Sequence, residues 1–167
     1  MKKIIALLLL FAFVNIFALP VQAVTVKAGK KIPIVGDYVT SKKVKSGDII
    51  SGHVQRNIIV DGKVVFAEGA PVTINVASAH KAHRWGVAGD MTLINGTAED
   101  VTGEEREIQF DYDIKGTEKD WVKATAGLCL ATIILFPFGF LALIKGGEAE
   151  LQPTNIINAE LIDDFSI

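Results

Sequence analysis

Short alternating apolar runs, separated by turn sequences, are the feature that most constrains how this chain can fold. The clearest case is the pair Ile58–Val60 and Lys63–Phe66, which only Asp61-Gly62 separates. Asp-Gly accepts the positive φ angles of a two-residue type I′ turn, so the pattern predicts a tight hairpin. The other predicted strands are Val24–Lys27, Ile32–Ile34, Ile49–Val54, Val72–Val76, Met91–Ile94 and Ile108–Tyr112.

Turn signals recur roughly every 8–12 residues, a spacing typical of a small antiparallel β-barrel or sandwich. We therefore expect a mainly β fold for residues 24–122. Asn95-Gly96 predicts a further turn after the strand that begins at Met91. Glycine suits turns that need positive φ, and proline is tolerated where a strand opens. The predicted structural turn residues are Gly29, Gly47, Asp61, Gly62, Gly69 and Pro71.

Composition excludes several classes of protein. Half of the residues are hydrophobic (50%) and 22% are charged, which excludes a disordered chain. Cys129 is the single cysteine, so a disulfide scaffold is excluded as well. A formal net charge of -2 gives no reason to expect nucleic-acid binding.

The first 23 residues have the three parts of a secretory signal peptide. Lys2-Lys3 is followed by an apolar run from Ile4 to Leu19, and Val21-Gln22-Ala23 provides a small-residue cleavage site. We expect an exported bacterial protein, located in the periplasm or cell envelope. The alternative is an uncleaved signal anchor, because the apolar run is long for a signal peptide.

A second apolar stretch, residues 123–145, does not fit an ordinary soluble barrel. Residues 124–144, the apolar segment, carry no charge, and about 20 helical residues span the hydrocarbon core of a bilayer. The alternative is a helical segment buried against the barrel. The predicted membrane-contact residues are Trp121, Leu128, Leu130, Ile133, Ile134, Leu135, Phe136, Phe138, Phe140, Leu141, Leu143 and Ile144.

The path of the apolar segment depends on residues 146–167, which we expect to supply a closing strand, Glu148–Leu161, and a tail. Pro137 divides the segment, and its two arms would measure about 20 Å and 10 Å as helices. Neither arm spans about 30 Å of hydrocarbon, so a returning chain would form a hairpin that dips into a leaflet or is buried. If the tail does not return, a single kinked span is the alternative.

Candidate catalytic residues are few. His80 and His83 are three residues apart, a spacing that metal ligands use, yet a catalytic site needs about three ligands. Asp111 and Asp113 alternate onto one solvent face of a predicted strand. Cys129 lies in the apolar segment without a basic neighbour that would activate it. We therefore expect no enzyme activity, no cofactor and no metal.

The turn residues also carry a resemblance. Ala28–Ile34, Lys45–Asp48, Val60–Val65 and Glu68–Val72 follow an order that resembles a class of exported, mostly uncharacterised bacterial β-domain proteins. The same order is similar to the C-terminal β-barrel of the outer-membrane core component of type IV secretion systems. That resemblance implies a β-barrel with an apolar helical insertion before its last strand, and Gly147–Thr154 occupies the place of the family's closing turn.

Together these features predict a non-enzymatic cell-envelope protein, a structural or binding module associated with a membrane or with a protein partner. Self-association is one form that such a partnership would take. The alternative, implied by the resemblance, is a component of an envelope-spanning secretion or transport assembly. A metal-dependent enzyme that uses His80 and His83 is the least favoured interpretation.

Overall fold

The computed structural model of the chain describes residues 23–122, 124 and 143–167, and these residues are mainly β. Alternating apolar residues and positive-φ turns produce short strands joined by tight connections. The strands are Thr25–Val26 (β1), Lys31–Gly36 (β2), Val39–Thr40 (β3), Ile49–Val54 (β4), Ile58–Val60 (β5), Lys63–Phe66 (β6), Pro71–His80 (β7), Asp90–Glu99 (β8), Glu105–Lys115 (β9), Glu150–Leu151 (β10), Ile156–Leu161 (β11) and Phe165–Ser166 (β12).

Six of these strands form a closed antiparallel barrel in the order β11-β2-β4-β7-β8-β9. The predicted mainly β class is confirmed, and of the two predicted architectures the barrel is the one observed. Closure depends on β11, which pairs with β2 through Ile157 and Ile34 and with β9 through Leu161 and Ile108. The C-terminal region therefore pairs with the barrel, as the sequence predicted.

The expected closing strand over Glu148–Leu161 is divided into two. Glu150–Leu151 forms β10 and pairs with β3, whereas Ile156–Leu161 forms β11 and closes the barrel. A turn separates the two strands, with the Asn155 N–H donating to the Gln152 carbonyl at 2.9 Å.

The barrel interior is filled by the inward side chains of alternating strands. Burial alternates in β7 and β11, as expected for strands with one face in a core. Each fully buried Ile or Leu stabilises the fold by about 1.5–3 kcal/mol. Fully buried core side chains include Ile32, Ile34, Ile74, Met91, Leu93, Ile108, Ile157 and Leu161.

The predicted turn at Asn95-Gly96 is wrong, because both residues lie inside β8. Asn95 pairs with Asn75 of β7 and with Gln109 of β9. The register of both ladders shifts between Leu93 and Asn95, so the buried positions change from 91 and 93 to 96 and 98. This bulge leaves Ile94 exposed and interrupts the alternation of buried and exposed residues. The strand nevertheless continues through Asn95 and Gly96, where the sequence pattern suggested a turn.

The antiparallel order gives the barrel two distinct ends. At the insertion end, β7 and β9 finish and β8 and β11 begin. At the terminal end, β1 pairs with β12, and the Val24 N–H donates to the Ile167 carbonyl at 2.9 Å. The β5–β6 hairpin also lies at the terminal end, where its Val65 carbonyl accepts from the Val101 N–H at 3.0 Å.

The residues that the sequence assigned to structural turns lie at connections or at the start of a strand. The Asp61-Gly62 pair joins β5 to β6, with Val60 opposite Lys63. The φ angle is positive at Gly29 (78°), Gly47 (88°), Asp61 (49°), Gly62 (79°) and Gly69 (82°), and Pro71 is the first residue of β7.

Candidate functional site

Three segments meet at the insertion end of the barrel. The first is the loop between β7 and β8, which we name the bridging loop (residues 81–89). The other two are the entry stem (residues 116–122), which precedes the apolar segment, and the return stem (residues 143–149), which begins with the last two residues of that segment. The connections among these three segments determine where the chain leaves the barrel and where it returns.

Gly86 of the bridging loop is hydrogen-bonded to both stems. Its N–H donates to the Ile144 carbonyl at 3.0 Å, and its carbonyl accepts from the Lys119 N–H at 2.9 Å. A Cβ atom at position 86 would lie 2.5 Å from the Lys119 carbonyl oxygen, so a larger residue would force the entry stem away. The two stems therefore lie on either side of a single residue.

The stems are also bonded directly to each other. The Gly147 N–H donates to the Thr117 carbonyl at 2.8 Å, and the Gly147 carbonyl accepts from the Gly89 N–H at 2.9 Å. The Gly89 carbonyl in turn accepts from the Gly116 N–H at 2.8 Å. The bridging loop, entry stem and return stem thus form one continuous hydrogen-bonded unit.

A buried side-chain contact fixes this unit to the barrel. The Ser41 hydroxyl, fully buried after β3, donates to the Glu148 carboxylate at 2.9 Å and accepts from the Ala149 N–H at 3.1 Å. The same carboxylate oxygen accepts from the Ala82 N–H at 2.9 Å. Glu148 therefore connects the return stem to the bridging loop and to the β3–β4 connection.

Two opposing effects set the pKa of Glu148. Burial raises it, but the hydrogen bonds from the Ala82 amide and the Ser41 hydroxyl lower it, as do the charges of Lys145 and Lys42. The lowering effects prevail, so the carboxylate has a pKa below its ordinary value and is ionised at neutral pH.

Trp85 has an unusual backbone conformation beside this unit. Its φ is 65° and that of Gly86 is 71°. Positive φ is rare for a bulky residue, and such strain persists only where the surrounding structure holds it. The Trp85 side chain is 41% exposed, so the strained turn presents an aromatic ring to the outside.

The predicted membrane-contact residues fall into two groups. Trp121 and Leu143 are 56% and 58% exposed, and Ile144 is half-buried with its carbonyl bonded to Gly86. The other predicted contacts lie outside the described residues: Leu128, Leu130, Ile133, Ile134, Leu135, Phe136, Phe138, Phe140 and Leu141. Over residues 23–122, 124 and 143–167, no helix has both the length and the apolar character needed to cross a membrane.

The two histidines singled out from the sequence have separate environments. His80 ends β7, and its Nδ1 lies 2.9 Å from the Asp90 carboxylate of β8. His83 is exposed in the bridging loop, where its N–H donates to the Val87 carbonyl at 3.0 Å. In the part of the chain that the structure describes, no three His, Cys, Asp or Glu side chains are grouped so that they could hold a metal ion.

The terminal end has its own buried carboxylate, Asp100, in the β8–β9 turn. Burial raises the pKa of Asp100, but hydrogen bonds from the Thr102 hydroxyl, from Arg106 and from the Thr102 and Glu104 amides hold it below its ordinary value. Arg106 also pairs with Glu104, and its guanidinium lies 4.2 Å above the Phe165 ring of β12. This arrangement stabilises a turn and a chain terminus.

Sequence reasoning identified Trp121 and the flanks of the apolar segment, but it missed Ser41, Glu148 and the strained Trp85. Ser41 and Glu148 are 107 residues apart, so no local pattern connects them. For the positive φ of Trp85, the local sequence offers one signal, the adjacent Gly86.

Comparison with known proteins does not assign a family. No protein-family model matches the chain, and no curated protein is similar to it in sequence. The resemblance to exported β-domain proteins and to the secretion-system barrel therefore stays a prediction.

Proposed function

We propose that this protein is a non-enzymatic module of the bacterial cell envelope, exported and then held at a membrane by its apolar segment. The barrel is the rigid part, and the apolar segment enters and leaves the membrane on the barrel's side. On this proposal the module serves a structural or binding role at the membrane surface.

The observation that carries the proposal is the bonding of Gly86 to both stems. Because the two stems bond opposite sides of the Gly86 backbone, they are separated there by about 10 Å, twice the spacing of paired strands. A single crossing would separate the two ends of the apolar segment by about 30 Å. The geometry thus favours a returning path over a single kinked span.

The placement of the chain termini also supports the proposal. Val24, where the exported chain would begin, and Ile167 are paired at the terminal end, opposite the stems. The signal-peptide cleavage site and the C-terminal tail therefore lie at the end of the barrel opposite the face that would meet the membrane. The uncharged sequence of the apolar segment supplies the reason for membrane contact.

The test is fractionation of a variant in which residues 124–142 are replaced by a short Gly/Ser linker. The stems are about 10 Å apart where both bond Gly86 and closer where Gly147 bonds Thr117, so a linker of about five residues can join them without strain on the barrel. We expect the full chain to stay with membranes after carbonate washing and the linker variant to be released.

The control is the fold of the linker variant itself. Its circular dichroism and cooperative melting should match those of the full chain, because the barrel strands and both stems are intact. Release of the full chain by carbonate, without detergent, would contradict membrane anchoring. Retention of a well-folded linker variant would mean that the apolar segment is not the anchor.

A further inference from the structure

Four exposed apolar side chains, two of them tryptophans, lie on the bridging loop and the two stems. Trp85 and Val87 of the bridging loop are 41% and 38% exposed, and Trp121 and Leu143 of the stems are more exposed still. These four side chains belong to the three segments that Gly86 and Gly147 bond together. Two of them are the only tryptophans of the chain, and tryptophan is enriched where proteins meet the headgroup region of a bilayer.

Exposed cations accompany these aromatic side chains. Lys81 and Arg84 flank the strained turn in the bridging loop, and Lys145 follows the exposed Leu143 in the return stem. Lys42 and Lys43 are exposed next to Ser41, which is bonded to the return stem. Lys81 and Arg84 make no ion pair with any carboxylate among the described residues, so their charges face solvent.

The opposite end of the barrel is rich in carboxylates. Glu104 and Glu105 are exposed at the β8–β9 turn, and Asp163 and Asp164 are exposed before β12. Three of these four make contacts: Glu104 pairs with Arg106, Glu105 accepts from the Thr97 hydroxyl at 3.1 Å, and Asp164 accepts from the Ala28 N–H at 2.6 Å. This end also carries exposed Lys27 and Lys30, and the entry stem carries exposed Glu118 and Asp120. The attraction of an anionic surface is therefore ascribed to the cations that lie beside the tryptophans in the bridging loop and return stem.

We propose that the insertion end is a docking surface for a bilayer that contains anionic phospholipids. Trp85 and Trp121 lie at the headgroup level, and Arg84, Lys81 and Lys145 face lipid phosphates. This inference rests on the proposed membrane anchoring and adds the class of lipid that the barrel recognises. The strained conformation of Trp85 fits the assignment, because such strain clusters at functional positions.

The test compares vesicles of pure phosphatidylcholine with vesicles in which one quarter of the lipid is phosphatidylglycerol. Each Lys or Arg near an anionic surface changes binding by about 5-fold. For the full-length mature chain we expect tighter binding to the anionic vesicles, with the preference weakening as salt is added. The double variant Arg84→Gln/Lys145→Gln should lose about 25-fold of that preference and keep its binding to neutral vesicles.

A matched control removes two exposed charges from the terminal end. Lys27→Gln/Lys30→Gln makes the same change in net charge but lies opposite the stems. We expect this variant to bind anionic vesicles within about twofold of the unmodified chain. Equal loss in both double variants would overturn the inference, because the effect would then reflect net charge alone.

Tryptophan fluorescence gives a second, independent readout. In a Trp121→Phe variant, Trp85 is the remaining tryptophan, so its emission should shift to the blue and be quenched by lipids brominated near the headgroup. Unchanged Trp85 emission in the bound state would overturn the placement of the bridging loop. Equal binding to neutral and anionic vesicles would leave membrane anchoring in place and refute lipid selectivity, whereas binding to neither would refute both.

Discussion

Gly62 fixes the two-residue turn between β5 and β6 through its backbone alone. Its φ is 79°, and a Cβ atom built at this position would meet nothing within 4 Å. The need for glycine there is therefore conformational and involves no packing. A residue for which positive φ is unfavourable should destabilise the hairpin, and the loss of stability should grow with the free-energy cost of that backbone conformation.

We expect Gly62→Val to lower the free energy of unfolding by about 1–2 kcal/mol, because a β-branched residue opposes positive φ. The measurement is urea or thermal unfolding of the mature barrel. Gly62→Asn is the control, since asparagine tolerates the left-handed region, and it should stay close to the unmodified protein. An unchanged melting temperature for the valine variant would contradict the type I′ turn.

Glu148 makes stability depend on pH. Its pKa is lower in the folded protein than in the unfolded chain, so its ionised form stabilises the fold. This contribution is complete above the ordinary value of about 4.5 and is lost as the pH falls through the lowered folded-state pKa. Asp100 acts in the same direction at the terminal end.

Glu148→Gln should therefore cost about 1–2 kcal/mol at pH 7, since it weakens hydrogen bonds to a charged acceptor. The difference from the unmodified protein should shrink as the pH is lowered through the acid range. Glu150→Gln, an exposed carboxylate in β10, serves as the control and should change little. A constant difference between Glu148→Gln and the unmodified chain from pH 7 to pH 3 would contradict the ionised contact.

At the scale of elements, β8 explains why sequence patterns predict strands better than their ends. The bulge between Leu93 and Asn95 changes which positions are buried, so the alternation is broken halfway along the strand. Gly96 is required inside the strand because the β7 backbone lies very near its Cα atom. A Cβ atom at this position would lie 1.9 Å from the Thr73 carbonyl oxygen. Local propensity cannot distinguish this close approach from an Asn-Gly turn.

Gly96→Ala should therefore destabilise the barrel by at least about 2 kcal/mol, since β7 and β8 must separate to accommodate the methyl group. Chemical unfolding of the purified variant measures the effect. Ile94→Ala, at an exposed position two residues earlier, should change stability by only about 0.5 kcal/mol. If both variants were equally stable, the strand would not approach β7 as closely as the structure indicates.

The strands with clear alternation, such as β5, β6 and β7, could be predicted from sequence because one local pattern specifies each of them. The two-residue strands β3 and β10 could not, because each exists only through its pairing with the other, and Leu151 and Val39 are far apart in the chain. Elements of this kind depend on tertiary structure, which a local reading of residues does not contain.

At the scale of the whole molecule, barrel closure brings the residues that precede and follow the apolar segment to the same end of the barrel. The sequence indicated that Glu148–Leu161 would join the barrel, and the pairing of Ile156–Leu161 with β2 and β9 confirms this for the second half of that range. The sequence did not indicate that both stems would meet at Gly86, because that meeting depends on β7, β8, β9 and β11 reaching the same end. The sequence therefore predicted which residues near the candidate site are apolar, but it did not predict how the stems and the bridging loop are bonded together.

The most direct test of the returning path is the accessibility of cysteines on either side of the apolar segment. Glu68→Cys and Ser166→Cys, both at exposed positions, are made separately in a Cys129→Ser background. Intact cells and opened vesicles are then treated with a membrane-impermeant thiol reagent. We predict that the two cysteines are labelled identically in each preparation, because the barrel and tail lie on one side of the membrane. Opposite labelling of the two sites would mean that the chain crosses the bilayer once, and this would contradict a barrel closed by β11.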